Sequence, residues 1–189
     1  MKLKKGSASD NIEQDSHSNG GADWMVEFIF RRRSIRRFTP EPVGESEVKT
    51  LLEAAMAAPS ANNRKPWHYV VTSGRAMLDR LAREHPYGKM LHEAPLAIAV
   101  CADPGVSPTA WAQDCSAATE NILLAASALS LGACWLGCHP HEDRKVAIRR
   151  VLEIPRNIEI LSLVAIGHPK EKKESRTQYD ASRVHNEKW

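Results

Sequence analysis

The stretch "DCSAATENILLAASALSLGACWLG" (residues 114–137) contains the longest helical pattern of the chain, followed directly by a short strand. Small residues and leucines occupy nearly every side of this helix, which is predicted to run from Trp111 to Leu131 and to end at Gly132. A helix that is apolar all round lies in the middle of a domain. "ACWLG" (133–137) then predicts a strand. The segment therefore predicts a central helix that packs on a sheet.

Helices and strands are mixed along the rest of the chain without strict alternation. Strand-forming runs lie at 68–72, 95–103 and 158–167, and helical patterns cover 75–84 and 142–152. On the N-terminal side, Asp23 is predicted to be the N-cap of a helix that begins near Trp24. A second helix is predicted to have Ser46 as its N-cap and to end before Pro59. This order of elements predicts an α+β fold.

The length and composition are those of an ordinary globular domain. The chain has 189 residues, of which 42% are hydrophobic and 26% are charged, so we expect one domain with a sizeable core. The 26 Lys and Arg residues against 23 Asp and Glu residues leave a net charge of only +3. A protein that binds nucleic acid through its general charge has a broader basic excess, so we expect no nucleic-acid partner.

Three further features bear on where the protein resides. Residues 1–23 are polar and lack the apolar core of a secretory signal, so they are interpreted as a flexible tail before a single domain at 24–189. No apolar run approaches the ~20 residues that span a bilayer, so we expect no membrane partner. The four cysteines lie in or beside apolar segments, as reduced thiols do. We therefore expect a cytoplasmic protein.

Arginine occupies five of the eight positions in "RRRSIRRF" (31–38). If this segment is extended, Arg32, Ser34 and Arg36 point to one face and span roughly 13 Å at about 3.3 Å per residue. Guanidinium groups bind phosphate through paired, charge-assisted hydrogen bonds. The segment therefore predicts a site for one elongated anionic ligand. On composition alone, a solvated basic face is an equal alternative.

Four segments, in order along the chain, resemble the nitroreductase family of flavoproteins. The first is Arg32-x-Ser34-x-Arg36, and the second is "PSANNRKPW" (59–67), in which Lys65 stands where glutamine is usual. The helix and strand at 114–137 and the ending "SRVHNEKW" complete the pattern. The resemblance covers the chain from about residue 25 onward, and the combination of ordered segments is more specific than any one of them.

This resemblance implies a nitroreductase-like fold, with a mixed, mainly antiparallel sheet flanked by helices. It also implies an intertwined homodimer with one FMN in each site at the subunit interface. The FMN phosphate would lie near Arg32, Arg33 and Ser34, and the pyrimidine edge of the ring near Arg36. Leu136 and Gly137 would pass close to the flavin N5 side. The other implied residues are Pro59, Ser60, Ala61 and Asn63 from the partner subunit, and Lys173 and Arg176, which close on the phosphate.

The activity that the resemblance implies is that of an FMN-dependent oxidoreductase. NADH or NADPH would reduce the flavin, and nitroaromatics, quinones or similar electron-poor acceptors would reoxidise it. The chain has no G-x-G-x-x-G module for a dinucleotide, so both substrates would use one site in turn, by a ping-pong mechanism. No catalytic side chain is required, because the chemistry occurs on FMN. The alternatives are a flavin carrier or sensor and a specialised relative such as a reductive dehalogenase.

One cluster of potential metal ligands has a competing interpretation: Cys134, Cys138, His139 and His141. Zinc would need these side chains to converge, but Cys134 lies in a predicted buried strand, so we expect no metal. His139 and His141 either face the flavin cavity or lie on the surface at the start of a helix.

Two aromatic residues and one charged run are expected to have structural roles only. Trp67 and Trp135 are predicted to pack in the core or at an interface. The run "EKKESR" (171–176) is predicted to be solvated except at Arg176, which the resemblance assigns to the site.

Overall fold

The structure, a computed structural model, describes residues 20–189. Within this range it contains five α-helices and four β-strands. The helices are α1 (Gly20–Arg31), α2 (Glu45–Met56), α3 (Arg75–Glu84), α4 (Trp111–Ala128) and α5 (Glu142–Leu152). The strands are β1 (Trp67–Thr72), β2 (Leu96–Ala102), β3 (Gly132–Gly137) and β4 (Glu159–Gly167). No helix in this range is both long enough and apolar enough to cross a membrane.

The four strands form one antiparallel sheet in the order β1-β2-β4-β3. All seven residues of β2 are buried, which explains its unbroken apolar sequence. A parallel bridge between Ser34 and Ala133 extends the sheet at the outer edge of β3. The α+β class and the mainly antiparallel sheet are therefore confirmed. In the described part of the chain, the parallel component of the sheet is limited to this bridge.

Helices cover both faces of the sheet. The face that carries Ile98 and Val164 packs against α2 and α4, and the face that carries Ala99 and Leu163 packs against α3 and α5. Because side chains alternate along a strand, β2 and β4 supply both cores. The predicted central helix is α4, whose Ile122 is fully buried.

The end of α4 differs from the prediction. The helix ends at Ala128, and Ser130 adopts the left-handed conformation (φ 60°) that a glycine usually provides. The N–H of Leu131 donates to the carbonyl of Ala126 at 2.8 Å, which closes a Schellman motif. Gly132 therefore does not end α4, as predicted, but begins β3.

The two N-terminal helices begin earlier than predicted. α1 starts at Gly20, so Asp23 lies inside the helix and is not its N-cap. α2 starts at Glu45, and the N–H of Gly44 donates to the Glu47 carboxylate at 2.8 Å, so Ser46 is not the N-cap either. The other predicted strands and helices agree with the structure to within one residue, apart from the end of α4. Residues 1–19 of the predicted tail lie outside the described part of the chain.

Candidate active site

The arginine segment leaves α1 and runs as an extended chain against the outer edge of β3. The N–H of Ile35 donates to the carbonyl of Ala133 at 3.0 Å, next to the bridge formed by Ser34. Gly132 makes this approach possible, because a Cβ at that position would lie 2.7 Å from Cγ2 of Ile35. The backbone is therefore extended at Ser34 and Ile35, as the hypothesis of a site for an elongated anionic ligand requires.

Beyond Ala133 the outer edge of β3 is open. In an antiparallel strand, successive residues point their N–H and C=O groups to opposite sides. Because Ala133 points away from β4, Trp135 and Gly137 also point away, and no strand of the described chain pairs with them. A Cβ added to Gly137 would meet nothing within 4 Å. In the described chain, the edge therefore leaves the backbone groups of Trp135 and the N–H of Gly137 without a strand partner, whereas the carbonyl of Gly137 accepts hydrogen bonds from side chains.

The segment that follows β4 folds back over the arginines. Arg176 donates its N–H to the last turn of α1 at 3.1 Å, and Nη1 of Arg33 donates to the carbonyl of Glu174. Nζ of Lys173 donates to the carbonyl of Ser34 at 2.6 Å. The structure therefore brings predicted phosphate residues from both ends of the chain into one cationic cluster: Arg32, Arg33, Ser34 and Lys173, with the exposed Arg176 held beside them by its backbone.

Carboxylates balance part of the charge of this cationic cluster. Glu171 accepts the N–H of Arg36 at 2.6 Å and lies 3.2 Å from Nζ of Lys173. The hydrogen bond from Arg36, with help from Lys173, lowers the pKa of the Glu171 carboxyl. Nε of Arg32 lies 3.5 Å from Glu120. The acidic partners hold the cations in place while the cluster keeps an excess of positive charge.

The run 171–176 is only partly solvated, so the prediction for it was wrong in part. The side chains of Glu171 and Lys173 are 25% and 24% exposed, whereas Lys172 and Glu174 are exposed. This alternation is that of an extended segment with one face against the protein. Sequence reasoning missed Glu171, because every second residue of a run in which almost all residues are charged cannot be recognised as partly buried from the sequence alone.

The side chain of Arg36 approaches β3 at Cys134. Burial raises the pKa of the Cys134 thiol, and the guanidinium of Arg36 and the ammonium of Lys173 act against this rise. The Arg36 guanidinium is therefore close to Cys134, whereas the chain after it leads to His168 and Pro169, beyond the start of β3 and away from Gly137. Arg36 and Lys173 therefore approach the same part of β3, and the role of Arg36 at the pyrimidine edge stays a prediction.

Two clefts differ in their relation to the cationic cluster. One, of about 210 Å³, lies between the arginine segment, α4 and the C-terminal segment, and is lined by Arg32, Arg33, Leu123 and Lys173. A larger one, of about 980 Å³, lies beside the ends of β1 and β2. Its wall includes Arg75 and His92, which both contact Asp79. The smaller cleft is the better candidate site, because residues of the cationic cluster line it and none of them lines the larger one.

The loop after α2 lies apart from the cationic cluster. Ala61 donates its N–H to Oδ1 of Asp114 at 2.8 Å, in the first turn of α4. The cleft at the arginines adjoins Ser127 near the other end of that helix. At about 1.5 Å per residue, Asp114 lies roughly 20 Å along the helix from Ser127 and roughly 9 Å from Glu120, which Arg32 contacts. Within one chain, the structure therefore does not bring the predicted loop residues to the arginines: Pro59, Ser60, Ala61 and Asn63.

This loop has an unusual backbone. Asn62, Asn63 and Lys65 have positive φ angles of 52°, 55° and 52°. Each such residue costs roughly 1–2 kcal/mol, less for asparagine, and persists only where the surroundings hold it. The buried carboxylate of Asp114 holds the loop at Ala61 and also accepts the hydroxyl of Ser107 at 2.9 Å. Sequence reasoning missed Asp114, although an acid in the first turn of a largely apolar helix is a signal.

The predicted cysteine and histidine cluster does not converge. Cys134 and Cys138 are buried in the core on the α3 and α5 side. His141 is exposed at the start of α5, whereas His139 is half-buried with its ring edge-on to Trp111, 4.8 Å between ring centres. In residues 20–189 no group of three His, Cys, Asp or Glu side chains is arranged to bind a metal ion.

The two tryptophans of the resemblance lie in the same core. Trp67 is buried and Trp135 is half-buried, and both pack on the face of the sheet that α2 and α4 cover. Their packing agrees with the structural role that was predicted for them.

Sequence comparison decides the family. Residues 29–85 and 81–168 match the model of the Nitroreductase family. The chain belongs to the nitroreductase family. A protein of Archaeoglobus fulgidus, provisionally named NADH dehydrogenase/NAD(P)H nitroreductase, is 45% identical over 170 residues, which cover 87% of this chain and 98% of that protein. Membership of the nitroreductase family confirms the resemblance and the class of enzyme, an oxidoreductase.

Solved structures agree with this assignment to the nitroreductase family. A crystal structure from Parabacteroides distasonis, with the same provisional name, has a TM-score of 0.85 at 37% identity and covers 88% of this chain and 99% of its own. A nitroreductase from Desulfovibrio desulfuricans, solved in complex with FMN, has a TM-score of 0.75 at 32% identity, with coverages of 87% and 96%. The nitroreductase fold is therefore confirmed, and FMN is confirmed as a cofactor within the family.

Proposed function

We propose that this chain is an FMN-dependent oxidoreductase that takes electrons from NADH or NADPH and reduces electron-poor acceptors such as nitroaromatics and quinones. One observation carries the proposal. The cationic cluster stands at one end of an open strand edge, and Gly137, which faces open space, stands at the other. Such an arrangement suits a ligand with a phosphate at one end and a flat ring at the other. The FMN complex of the Desulfovibrio relative supports this choice of ligand.

The residues present fit FMN. Arg32, Ser34 and Lys173, with Arg33 and Arg176 beside them, would hold the phosphate through charge-assisted hydrogen bonds. When bound, FMN would accept a hydride from the nicotinamide and pass electrons to the acceptor. Arg36, which is exposed in the single chain, would stabilise negative charge at the ring through electrostatic attraction. Leu136 is buried and orients the end of β3, so that Gly137 can face the ring without a side chain between them.

We also propose that the active unit is an intertwined homodimer. In α1, Val26, Ile29 and Phe30 are 44%, 44% and 39% exposed, which is a large apolar surface for one helix. Such a surface is suited to contact with a second subunit. A partner would also bring its loop at 59–63 to the open edge of β3, since the same chain does not.

A C-terminal arm, residues 177–189, supports the dimer. Tyr179, Val184 and Trp189 are 79%, 51% and 101% exposed. In the described part of the chain, the hydrogen bonds of this arm are all local, for example those between Asp180 and Ser182. Its apolar side chains therefore need cover from outside the chain, and a second copy can provide it.

A cytoplasmic location is proposed on the state of the cysteines. Cys101, Cys115, Cys134 and Cys138 are free and buried. Free thiols agree with a reducing compartment.

Stopped-flow spectroscopy tests the proposed function. The purified protein should bind FMN and turn yellow, and NADH or NADPH should bleach the flavin absorbance rapidly. A nitroaromatic or a quinone should then restore the colour, and steady-state rates should give the parallel lines of a ping-pong mechanism, because both substrates use one site. Flavin that stays oxidised under an excess of both nucleotides would contradict the enzyme and support a carrier or sensor.

Substitutions within the arginine segment test the assignment of its residues. Arg32→Ala should weaken FMN binding by about 10- to 150-fold, since losing a hydrogen bond to a charged group costs about 1.5–3 kcal/mol. Arg36→Ala should mainly shift the reduction potential of bound FMN. Fluorescence titration and potentiometry measure the two effects.

The same segment offers a matched control. Arg37 is paired with Glu93, 2.9 Å between Nε and Oε1, and does not face the cationic cluster. Arg37→Ala should therefore leave FMN affinity within about twofold of the natural protein, which is within the usual effect of a surface substitution. An Arg36→Ala variant that loses phosphate binding and keeps its potential would show that the roles of Arg32 and Arg36 are reversed.

A further inference from the structure

The carbonyl of Gly137 accepts hydrogen bonds from two side chains outside the sheet. Nε2 of His85 lies 3.1 Å from this oxygen, and Nη1 of Arg144 lies 3.0 Å from it. The N–H of the same peptide, that of Cys138, donates to the carbonyl of Leu161 at 2.9 Å. Both polar ends of the Gly137–Cys138 peptide are therefore held, and the orientation of this peptide is fixed.

The surroundings of His85 select one form of its ring. The N–H of Tyr87 points to Nδ1 at 3.2 Å, so Nδ1 must accept. Nε2 faces the Gly137 carbonyl, which can only accept, so Nε2 must carry the hydrogen. Only the neutral ring with its hydrogen on Nε2 satisfies both contacts. A proton added to Nδ1 would oppose the N–H of Tyr87.

Burial strengthens this selection. His85 is 2% exposed, and its removal from water lowers the pKa of the ring. Among the charged groups beside it, the guanidinium of Arg144 lowers the pKa further, and the carboxylate of Asp143 acts in the opposite direction. The Arg144 guanidinium is itself held over the ring of Tyr87, 5.2 Å from its centre.

Gly137 needs such a support because it is a glycine on an open edge. Glycine has the freest backbone of all residues, and nothing within 4 Å would contact a Cβ there. The absence of a side chain lets a ring approach Gly137, but it also leaves the backbone of this residue less restrained. His85 follows α3 and Arg144 lies on α5, so two helices on one face of the sheet supply the restraint that β3 lacks.

A buried histidine of this kind is often no more than part of a core. Here, however, two donors from different helices converge on one carbonyl at the end of the strand that faces the ligand space. We propose that His85 and Arg144 are positioning residues, which fix the Gly137 backbone in the orientation that the flavin ring needs. This inference rests on the proposed function, in which Gly137 lies beside FMN.

The state of the His85 ring is tested first, in the protein without flavin. Nitrogen NMR at neutral pH should show a neutral ring with its hydrogen on Nε2. A hydrogen on Nδ1, or a ring that exchanges freely between the two forms, would overturn the inference without involving FMN.

FMN binding is tested next with two variants of His85. His85→Leu removes the donor and should weaken FMN binding by about tenfold, as expected for the loss of one hydrogen bond. His85→Gln keeps an N–H near the position of Nε2 and should stay within about threefold of the natural protein. Fluorescence titration gives the affinities, and thermal melting of the flavin-free proteins separates binding from stability. His92→Gln is the matched control, since His92 contacts Asp79 and not Gly137.

The outcomes of these binding experiments distinguish a failure of the inference from a failure of the proposed function. If His85→Leu folds and binds FMN as tightly as the natural protein, the inference is wrong and the proposed function stands. If His85→Leu does not fold, Arg144→Met removes the other donor, and its FMN affinity must fall with an unchanged melting temperature. An unchanged affinity in that variant would also refute the inference. If the natural protein does not bind FMN, the proposed function fails and this inference fails with it.

Discussion

Gly137→Val is expected to reduce FMN affinity by about 10- to 100-fold and to leave the flavin-free protein as stable as before. A Cβ at this position meets nothing within 4 Å in the chain alone, and valine is a favourable residue in a strand. If FMN lies against Gly137, the added side chain must displace the ring, and forcing atoms into an occupied space costs about 1–3 kcal/mol. Fluorescence titration and thermal melting measure the two quantities.

Gly132→Ala provides the opposite pattern as a control. There the added Cβ would lie 2.7 Å from Cγ2 of Ile35, so the substitution should lower the melting temperature of the flavin-free protein itself. The contrast separates a glycine required by the fold from one required by the ligand. If the Gly137→Val variant had an unchanged FMN affinity, the flavin ring could not lie at this end of β3.

The two glycines also show how far the sequence could predict the structure. Periodicity identified α3, α5 and the strands, because their patterns depend on neighbours in the chain. Gly132 was wrongly assigned to the end of α4. A glycine is needed at this position because of the close contact with Ile35, which is far away in sequence. In the Schellman motif at the end of α4, Ser130 occupies the left-handed position where a glycine was expected.

The site residues also divide into those that local sequence patterns could indicate and those that depend on distant partners. Alternation along an extended segment predicted that Arg32, Ser34 and Arg36 share one face, and this stays a prediction. Glu171 and Asp114 could not be predicted in the same way, because each acts on a partner more than 50 residues away. The family resemblance filled part of this gap, because it named Lys173 and Arg176. Local sequence patterns alone could not predict that these two residues lie beside the arginines. It gave no information on the acids that hold these groups.

Removal of residues 179–189 is expected to weaken the proposed dimer by at least about a thousandfold. The deletion removes Tyr179, Val184 and Trp189, which are exposed in the single chain. Burying a large apolar side chain contributes about 1.5–3 kcal/mol, so three of them contribute more than the ~4 kcal/mol that corresponds to a thousandfold. Sedimentation over a range of concentrations measures the dissociation constant. Trp189→Ala alone should have the same direction and a smaller effect.

FMN binding should be lost together with the dimer. The truncated chain keeps Lys173 and Arg176, so the cationic cluster of one subunit remains complete. The loop at Pro59–Asn63, however, would no longer reach the open edge of β3, because within one chain it lies at the far end of α4. FMN affinity of the truncated protein should therefore rise with protein concentration as dimers re-form, whereas that of the full chain should not. A truncated monomer that binds FMN tightly at every concentration would show that one subunit holds the whole site.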